Sequence, residues 1–487
     1  MNNDSGTDLT RTTVHGVAWS FIERFSMQGV TFVLELIIAR IVGPESYGLI
    51  AMLAIFMAVS QVFIDGGFSA ALIQRQNRSE ADFSTAFYIN FGLSLLVYTA
   101  LFFAASWIAD FFRQPLLTDI TRVYSVNLVL FSLVAVNKTK LTIEVDFKTQ
   151  SKISLLSAIL SGVLGIALAY AGWGVWAIVW QTLANALLNA VFSFYYVRWW
   201  PRGRFSKTSF HNLFGFGSKL LITNIISALY AKAYDVVVGH KFNPLQLGLY
   251  SRADKFNQFG SSNISGILQR VSFPVLSRIQ DDDARLLEAY RKYLRMSAFV
   301  VFPIIMGLCG FARPMIQILL GQEWMGTVPL LQILSFAYLW DCVVIVNLNL
   351  IYVKGRSDYA LRLEVVKKTI AFTILFASLG FGLTGICIGR VLYALIAFYL
   401  NTYYTRRLLN YGFLTQVREL LPYIAMSLVV VGTSYTLSAL ISNAYASLAA
   451  SLVVCPAVYV LMCRVFGVKA FNEFCDLLRH QFKWKRR

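Results

Sequence analysis

The chain has 487 residues, of which 57% are hydrophobic and only 14% charged, and its mean hydropathy is +0.61. Soluble domains carry far more charge, so these values exclude the soluble classes and place the chain in a membrane. A net charge of +18 would point to nucleic acid in a soluble protein; here loop topology and anionic headgroups account for it, and no nucleic-acid partner is expected.

Met1 to Thr13 is polar and carries no cleavable signal. Beyond it, apolar runs near the roughly 20 residues of a spanning helix recur along almost the whole length. The run "FYINFGLSLLVYTALFFAASWIA" (Phe87 to Ala109) is apolar on every side. Strand-like alternation over segments of about 10 residues is missing, and lipid offers no water to an open backbone, so the spans are helices. In chain order they are expected near 14–38, 47–70, 86–109, 120–137, 153–171, 174–197, 217–238, 246–275, 297–320, 327–353, 365–381, 383–404, 420–439 and 445–466. This gives an all-α integral membrane protein of about fourteen transmembrane helices. The eighth run, "GLYSRADKFNQFGSSNISGILQRVSFPVL", is far more polar than the others and has to face protein or water if it spans.

Loop charge fixes the orientation, because cytoplasmic loops carry the excess of Lys and Arg. With the amino terminus inside, the cytoplasmic loops hold Arg75 and Arg78; Lys138, Lys140, Lys148 and Lys152; Arg198 to Lys219; Arg278 to Arg295; Lys354 to Lys368; Arg406, Arg407 and Arg418; and the basic end "KWKRR". Roughly 32 basic residues fall inside and about 5 outside, so both termini are expected to be cytoplasmic.

One hinge is written twice. "ARIVGPESYGLI" (Ala39 to Ile50) and "GHKFNPLQLGLY" (Gly239 to Tyr250) match Pro44 with Pro244, Gly48 with Gly248 and Leu49 with Leu249, and Glu35 meets Asp235 at the same offset. Downstream, "GWGVWAI" (Gly172 to Ile178) echoes "GFGLTGI" (Gly380 to Ile386) at nearly that spacing. Pro stops one helix and Gly permits the turn into the next, so single matches are common; two at nearly one offset imply duplication. Residues 1–200 and 201–410 are therefore expected to be two parallel-repeat lobes around a central cavity, followed by two additional helices over 411–466 and a basic amphipathic tail over 467–487. Phe471, Phe474, Leu478 and Phe482 recur at helical spacing in that tail, which suits an interfacial helix on anionic lipid.

Charges inside spans cost about 2.5–3.5 kcal/mol each at mid-bilayer, so a cluster of them implies a wet cavity or ion pairs. Arg24, Lys232, Arg252, Lys255 and Arg270 are the basic residues expected to bind an anionic substrate, Arg being suited to phosphate. Glu35, Asp235 and Asp65 are the acids expected to bind a coupling ion, although Glu35 could instead neutralise Arg24, and Asp235 could neutralise Lys232. The six cysteines show no CxxC spacing and the four histidines no ligand spacing, so neither a metal nor any other cofactor is expected.

Taken as an ordered set, "ARIVGPESYGL", "FIDGGFSAALIQRQNRSEADFSTAFYINFGLSLL", "AYAGWGVWAIVWQ", "YDVVVGHKFNPLQLGLYSRADKF", "ILQRVSFPVLSRIQDD" and "LLGQEWMGTVPLLQIL" resemble the polysaccharide-repeat-unit exporters of the multidrug, oligosaccharidyl-lipid and polysaccharide flippase superfamily, in the colanic-acid-exporter-like branch. The resemblance runs from about residue 12 to about residue 410. It implies a V-shaped flippase of the bacterial inner membrane that carries undecaprenyl-diphosphate-linked oligosaccharide outward by alternating access, with a polymerase and assembly proteins as partners and no enzymatic activity. Two rivals stand beside it. A multidrug/cation antiporter of the same superfamily would favour an acidic cavity. A membrane polymerase or glycosyltransferase would need an acidic catalytic cluster, and the one acidic run, Asp281 to Asp283, lies in a charged loop.

Overall fold

The computed structural model describes residues 28–473, apart from the side chains of 262–264 and 267–271. The described residues are helical nearly throughout and divide into two compact units, Met1–Gly248 and Leu249–Arg487.

The first unit contains α1 (28–42), α2 (Pro44–Asp65), α3 (Phe68–Gln74), α4 (Glu80–Phe112), α5 (Leu117–Tyr124), α6 (Val126–Ile143), α7 (Phe147–Tyr170), α8 (Val175–Val197) and α9 (Lys207–Lys241). The helix α10 (Pro244–Ser277) begins in it and continues into the second unit, which holds α11 (Asp283–Gly310), α12 (Ala312–Leu319), α13 (Thr327–Tyr338), α14 (Asp341–Val353), α15 (Ser357–Ser378), α16 (Gly382–Leu409), α17 (Phe413–Leu440) and α18 (Ala444–Val465). Among the described residues, eleven stretches are long and apolar enough to cross a membrane. One of them, Ser357–Leu409, comprises α15 and α16, which part at a short turn over Leu379–Phe381.

Local chemistry sets the boundaries. Ser79 caps α4 reciprocally with Asp82: the Asp82 amide donates to Ser79 Oγ at 3.3 Å and the Ser79 amide to Asp82 Oδ2 at 2.8 Å. Gly174 and Gly382, partners in the downstream echo, both take positive φ, 53° and 72°, where α8 and α16 begin. The two echoed stretches thus share a positive-φ glycine at the helix start as well as residue types.

At the duplicated hinge the structure revises the role of glycine. Pro44 and Pro244 open α2 and α10, as a ring-fixed φ favours at the first helical position. Gly48 and Gly248, however, lie a turn inside those helices, and the positive φ before α2 belongs to Gly43 at 81°. Within the first unit the two helix starts press against each other. A Cβ on Gly48 would stand 1.7 Å from the Pro244 carbonyl oxygen, and one on Gly248 would stand 1.9 Å from that of Pro44. The glycines are there for this close reciprocal approach, not for a turn.

The connector expected to join the lobes is tied down along α4. Trp199 Nε1 donates to Glu80 at 2.7 Å, the Gly203 amide to Ser84 Oγ at 3.0 Å and the Ser206 amide to Thr85 Oγ1 at 3.0 Å. Next, α9 packs against α2 and α4, so the compact boundary falls at Gly248–Leu249, whereas the repeat boundary read from sequence is at 200/201.

The polar eighth run is a continuous helix, α10, that does not meet the hydropathy of the eleven spans. Its polarity is satisfied inside the second unit. Asn257 Nδ2 donates to the Leu331 carbonyl at 3.1 Å, Ser335 Oγ to Asn257 Oδ1 at 2.8 Å, and Ser261 Oγ to the Tyr338 carbonyl at 3.1 Å, all buried. The Tyr338 carbonyl stands where the expected span 327–353 breaks into α13 and α14, and the α10 hydroxyl satisfies it there. Cys309, Cys342, Cys387, Cys455 and Cys463 are free and buried; Cys475 lies outside the described residues.

Candidate functional site

A cavity of 440 Å³ with a mixed lining, apolar over most of its wall and polar over the rest, opens inside the first unit, among α2, α3, α6, α7 and α8. Asp65, Asn127, Lys138, Gln150, Asn185 and Asn189 supply its longer polar side chains, and Ser69, Thr139, Thr142, Ser154 and Ser193 its hydroxyls. From loop charge, the adjacent ends of α2, α6 and α8 are expected on the cytoplasmic side.

Each wall has a local cause. Gly66 and Gly67 take left-handed φ of 53° and 74°, which ends α2 at Asp65 and restarts the chain as α3. That turn brings Ser69 Oγ onto Asp65 Oδ1 in a short hydrogen bond and leaves the carboxylate at the cavity wall. On α8, Asn185, Asn189 and Ser193 recur every four residues and so share one face. Asn189 Nδ2 donates to Asn185 Oδ1 at 2.9 Å, and Asn185 Nδ2 donates to Ser161 Oγ of α7 at 3.1 Å. This locks the amides in place. Thr139 and Thr142 donate to carbonyls four residues back, at 2.8 and 2.9 Å, which leaves their oxygens able to accept. The cavity therefore presents one acid, one base and many neutral donors and acceptors. That chemistry matches a polyhydroxyl ligand better than a lone cation, because each amide or hydroxyl can meet a sugar hydroxyl and little net charge needs neutralising.

A second polar centre lies within the second unit. Arg390 of α16 forms an ion pair with Asp254 of α10, and donates to Tyr250 Oη at 2.9 Å and Tyr338 Oη at 3.2 Å; Tyr338 in turn donates to Asp254 at 2.8 Å. These groups neutralise and satisfy one another. The arrangement ties α10, α13 and α16 together through a half-buried ion pair.

The described residues singled out from sequence fall in both units. Asp65 lines the cavity. Lys232 donates to Asp235 at 3.1 Å across one helical turn in the first unit. In the second unit Arg252 is buried with its guanidinium 5.4 Å from the Trp324 ring centroid, while Lys255 is exposed. Glu35 is half-buried, and its carbonyl accepts from Tyr47 Oη at 3.1 Å. Arg24 lies outside the described residues, as does the side chain of Arg270. Reasoning from charge missed Asn127, Gln150, Asn185 and Asn189. The four-residue spacing Asn185–Asn189–Ser193 inside an apolar run was the signal available.

The family described as "Polysaccharide biosynthesis protein" matches residues 37–329. The teichuronic acid biosynthesis protein TuaB of Bacillus subtilis is 24% identical over 357 residues, covering 72% of this chain and 73% of that protein. The lipopolysaccharide biosynthesis protein WzxC of Escherichia coli is 25% identical over 364 residues, covering 74% and 73%. Among solved structures, the lipid II flippase MurJ in an inward closed conformation superposes with a TM-score of 0.74 at 14% identity, over 92% of this chain and 98% of that one. An inward-facing multidrug resistance transporter of the MATE family and MOP superfamily superposes with a TM-score of 0.60 at 16% identity, over 80% and 98%. The chain thus has the fold of these transporters and is a multi-pass protein of the bacterial inner membrane; it belongs to the polysaccharide biosynthesis protein family.

Proposed function

We propose that the protein is a flippase that carries undecaprenyl-diphosphate-linked oligosaccharide repeat units from the cytoplasmic to the periplasmic leaflet by alternating access, for lipopolysaccharide, capsule or exopolysaccharide assembly. The observation that carries this reading is a 440 Å³ cavity, inside a membrane-spanning unit of a polysaccharide-family chain, whose mixed wall gathers amides and hydroxyls beside apolar side chains. Asn127, Asn185 and Asn189 bring amides to one wall inside membrane-spanning helices, and the Asn185–Asn189–Ser161 hydrogen bonds hold two of them in place to meet a ligand. Sugar hydroxyls replace their hydration with these side chains, and the cavity's place on the cytoplasmic side suits loading from the inner leaflet.

The diphosphate is the second recognition element. Arg24, Lys232, Arg252, Lys255 and Arg270 are the basic side chains proposed to attract it, and Lys232 is held in reserve by Asp235. Export of about two negative charges against an interior-negative potential gains roughly 4.6 kcal/mol per 100 mV if both cross the full field. The loaded step therefore runs downhill without an ion. Resetting the empty carrier is where Glu35, Asp65 or Asp235 would bind a coupling cation. In this reading both termini are cytoplasmic, the polymerase and assembly proteins act downstream, and the chain itself transports without catalysing a covalent step.

Depletion of the protein in its host tests the proposal. Lipid-linked repeat units are expected to accumulate on the cytoplasmic face while surface polymer falls, with rescue by wild type and not by Asn185→Leu/Asn189→Leu. Surface polymer at wild-type levels after depletion, in a host without a second copy, would overturn it.

A further inference from the structure

Away from the first unit's cavity, α11, α17, α18 and the residues after α18 enclose a separate space of 480 Å³ in the second unit. Its floor is apolar, with Tyr423, Met426, Val429 and Met462, and its mouth carries Arg295, Glu419 and Lys469. Positive loops place this mouth at the cytoplasmic edge of the bilayer, where expected spans begin at 297 and 420 and end at 466.

The electrostatics at the mouth are incomplete. Arg295 lies 3.9 Å from Glu419 and 3.7 Å from Glu473, within ion-pair range but beyond hydrogen-bond distance. Glu419 is already engaged by Arg291 and by Tyr411 Oη at 2.8 Å. Among the described residues, Arg295 Nε and Glu473 Oε2 are buried with no hydrogen-bond partner. A buried guanidinium N–H and a buried carboxylate oxygen are costly to leave unmade, and the two together ask for a ligand that accepts at one point and donates at another. Among the residues that line the groove, Arg295 and Lys469 outnumber Glu419, so the ligand is anionic overall.

We infer that this groove is a binding site for one anionic phospholipid of the cytoplasmic leaflet, of the phosphatidylglycerol type. The phosphodiester accepts from Arg295 and Lys469, a headgroup hydroxyl donates to Glu473, and part of an acyl chain lies along Tyr423, Met426 and Met462. Basic pockets between spanning helices on the cytoplasmic side have this chemistry in general. The inference does not depend on the flippase reading, because it concerns the leaflet and not the cargo.

Native mass spectrometry of the full-length protein, titrated in detergent with phosphatidylglycerol, phosphatidylethanolamine or phosphatidylcholine, tests it. Phosphatidylglycerol is expected to be retained about thirtyfold better than phosphatidylcholine, the increment of two basic groups at an anionic surface. Arg295→Gln/Lys469→Gln removes that preference, Arg295→Lys restores part of it, and Met426→Trp lowers retention of all three lipids. Thermal midpoints measured without lipid show that these variants fold. Equal retention of the three lipids, or better retention of phosphatidylethanolamine, overturns the site. So does loss of the preference on neutralising Lys483, Lys485, Arg486 and Arg487 to Gln while Arg295→Gln/Lys469→Gln keeps it, which moves the contact to the tail. Displacement of phosphatidylglycerol by millimolar inorganic phosphate likewise reduces the groove to a small-anion site.

Discussion

Substituting Gly48 by Ala sends a methyl group into the Pro244 carbonyl. The ideal Cβ would lie 1.7 Å from that oxygen, and real Cβ atoms do not come within 3.0 Å of such neighbours. The two helix starts have to separate by about 1.3 Å, and the obstacle is backbone with no rotamer to yield, so the cost belongs near the top of the usual ~1–3 kcal/mol for overpacking. Gly248→Ala meets the Pro44 carbonyl from the other side, at 1.9 Å, and is expected to cost a similar amount. The double variant should cost less than the sum, because one separation relieves both clashes. Gly92→Ala, in the interior of α4 with nothing within 4 Å of its Cβ, is the control, and is expected to stabilise by about 0.5–1 kcal/mol. Thermal unfolding of the purified protein in one detergent reads all four. A Gly48→Ala midpoint equal to that of Gly92→Ala would refute the close-approach argument.

Three further perturbations follow from named contacts. Arg390→Gln leaves half-buried Asp254 without its counter-ion and should destabilise by about 1–3 kcal/mol, with Asp254→Asn in the same chain recovering part of the loss; additive losses would show that the pair is not coupled. Asp146 caps α7 through the Thr149 amide at 3.0 Å, and hydrogen bonds from Thr149 hold its carboxyl below the ordinary range. Asp146→Ala should cost about 1 kcal/mol at neutral pH. Because the folded pKa is depressed, that stabilisation is present above the unfolded value near ~3.9 and disappears as pH falls through the folded one, so wild type and variant should converge in acid. A constant gap through that window would contradict the assignment. Ser69→Trp, placed in the 440 Å³ cavity, should abolish surface polymer in a complementation assay while leaving expression and the thermal midpoint near wild type, and normal polymer would argue against the cavity as the glycan site.

Much of the architecture could be read before any coordinates, because bilayer thickness and loop charge act on long windows of sequence. The turns at Gly174 and Gly382 were visible as an echo, and the polar face of α10 as a run too hydrophilic for lipid. What the sequence could not give was the reason for Gly48 and Gly248. A glycine that allows a turn and one that admits another backbone look alike until the neighbour is known. The site was harder still. Charged residues attract attention in a membrane chain because each is costly, yet Lys232 and Asp235 neutralise each other, and Arg390 satisfies Asp254 and two tyrosines. The cavity holds Asp65, one of the acids singled out, beside neutral amides whose cost per residue is smaller and whose signal is only a four-residue spacing on α8.

Leaflet accessibility in reconstituted vesicles addresses the central claim most directly. Purified protein is placed in liposomes with a labelled undecaprenyl-diphosphate oligosaccharide, and the fraction reachable by an outside glycan-modifying reagent is followed with an imposed potential of either sign. The account predicts protein-dependent transfer that is faster when the potential favours anion export, and that is lost in Asn185→Leu/Asn189→Leu. Transfer indifferent to those amides and to the potential, or transport of small organic cations in place of the lipid-linked glycan, would contradict it.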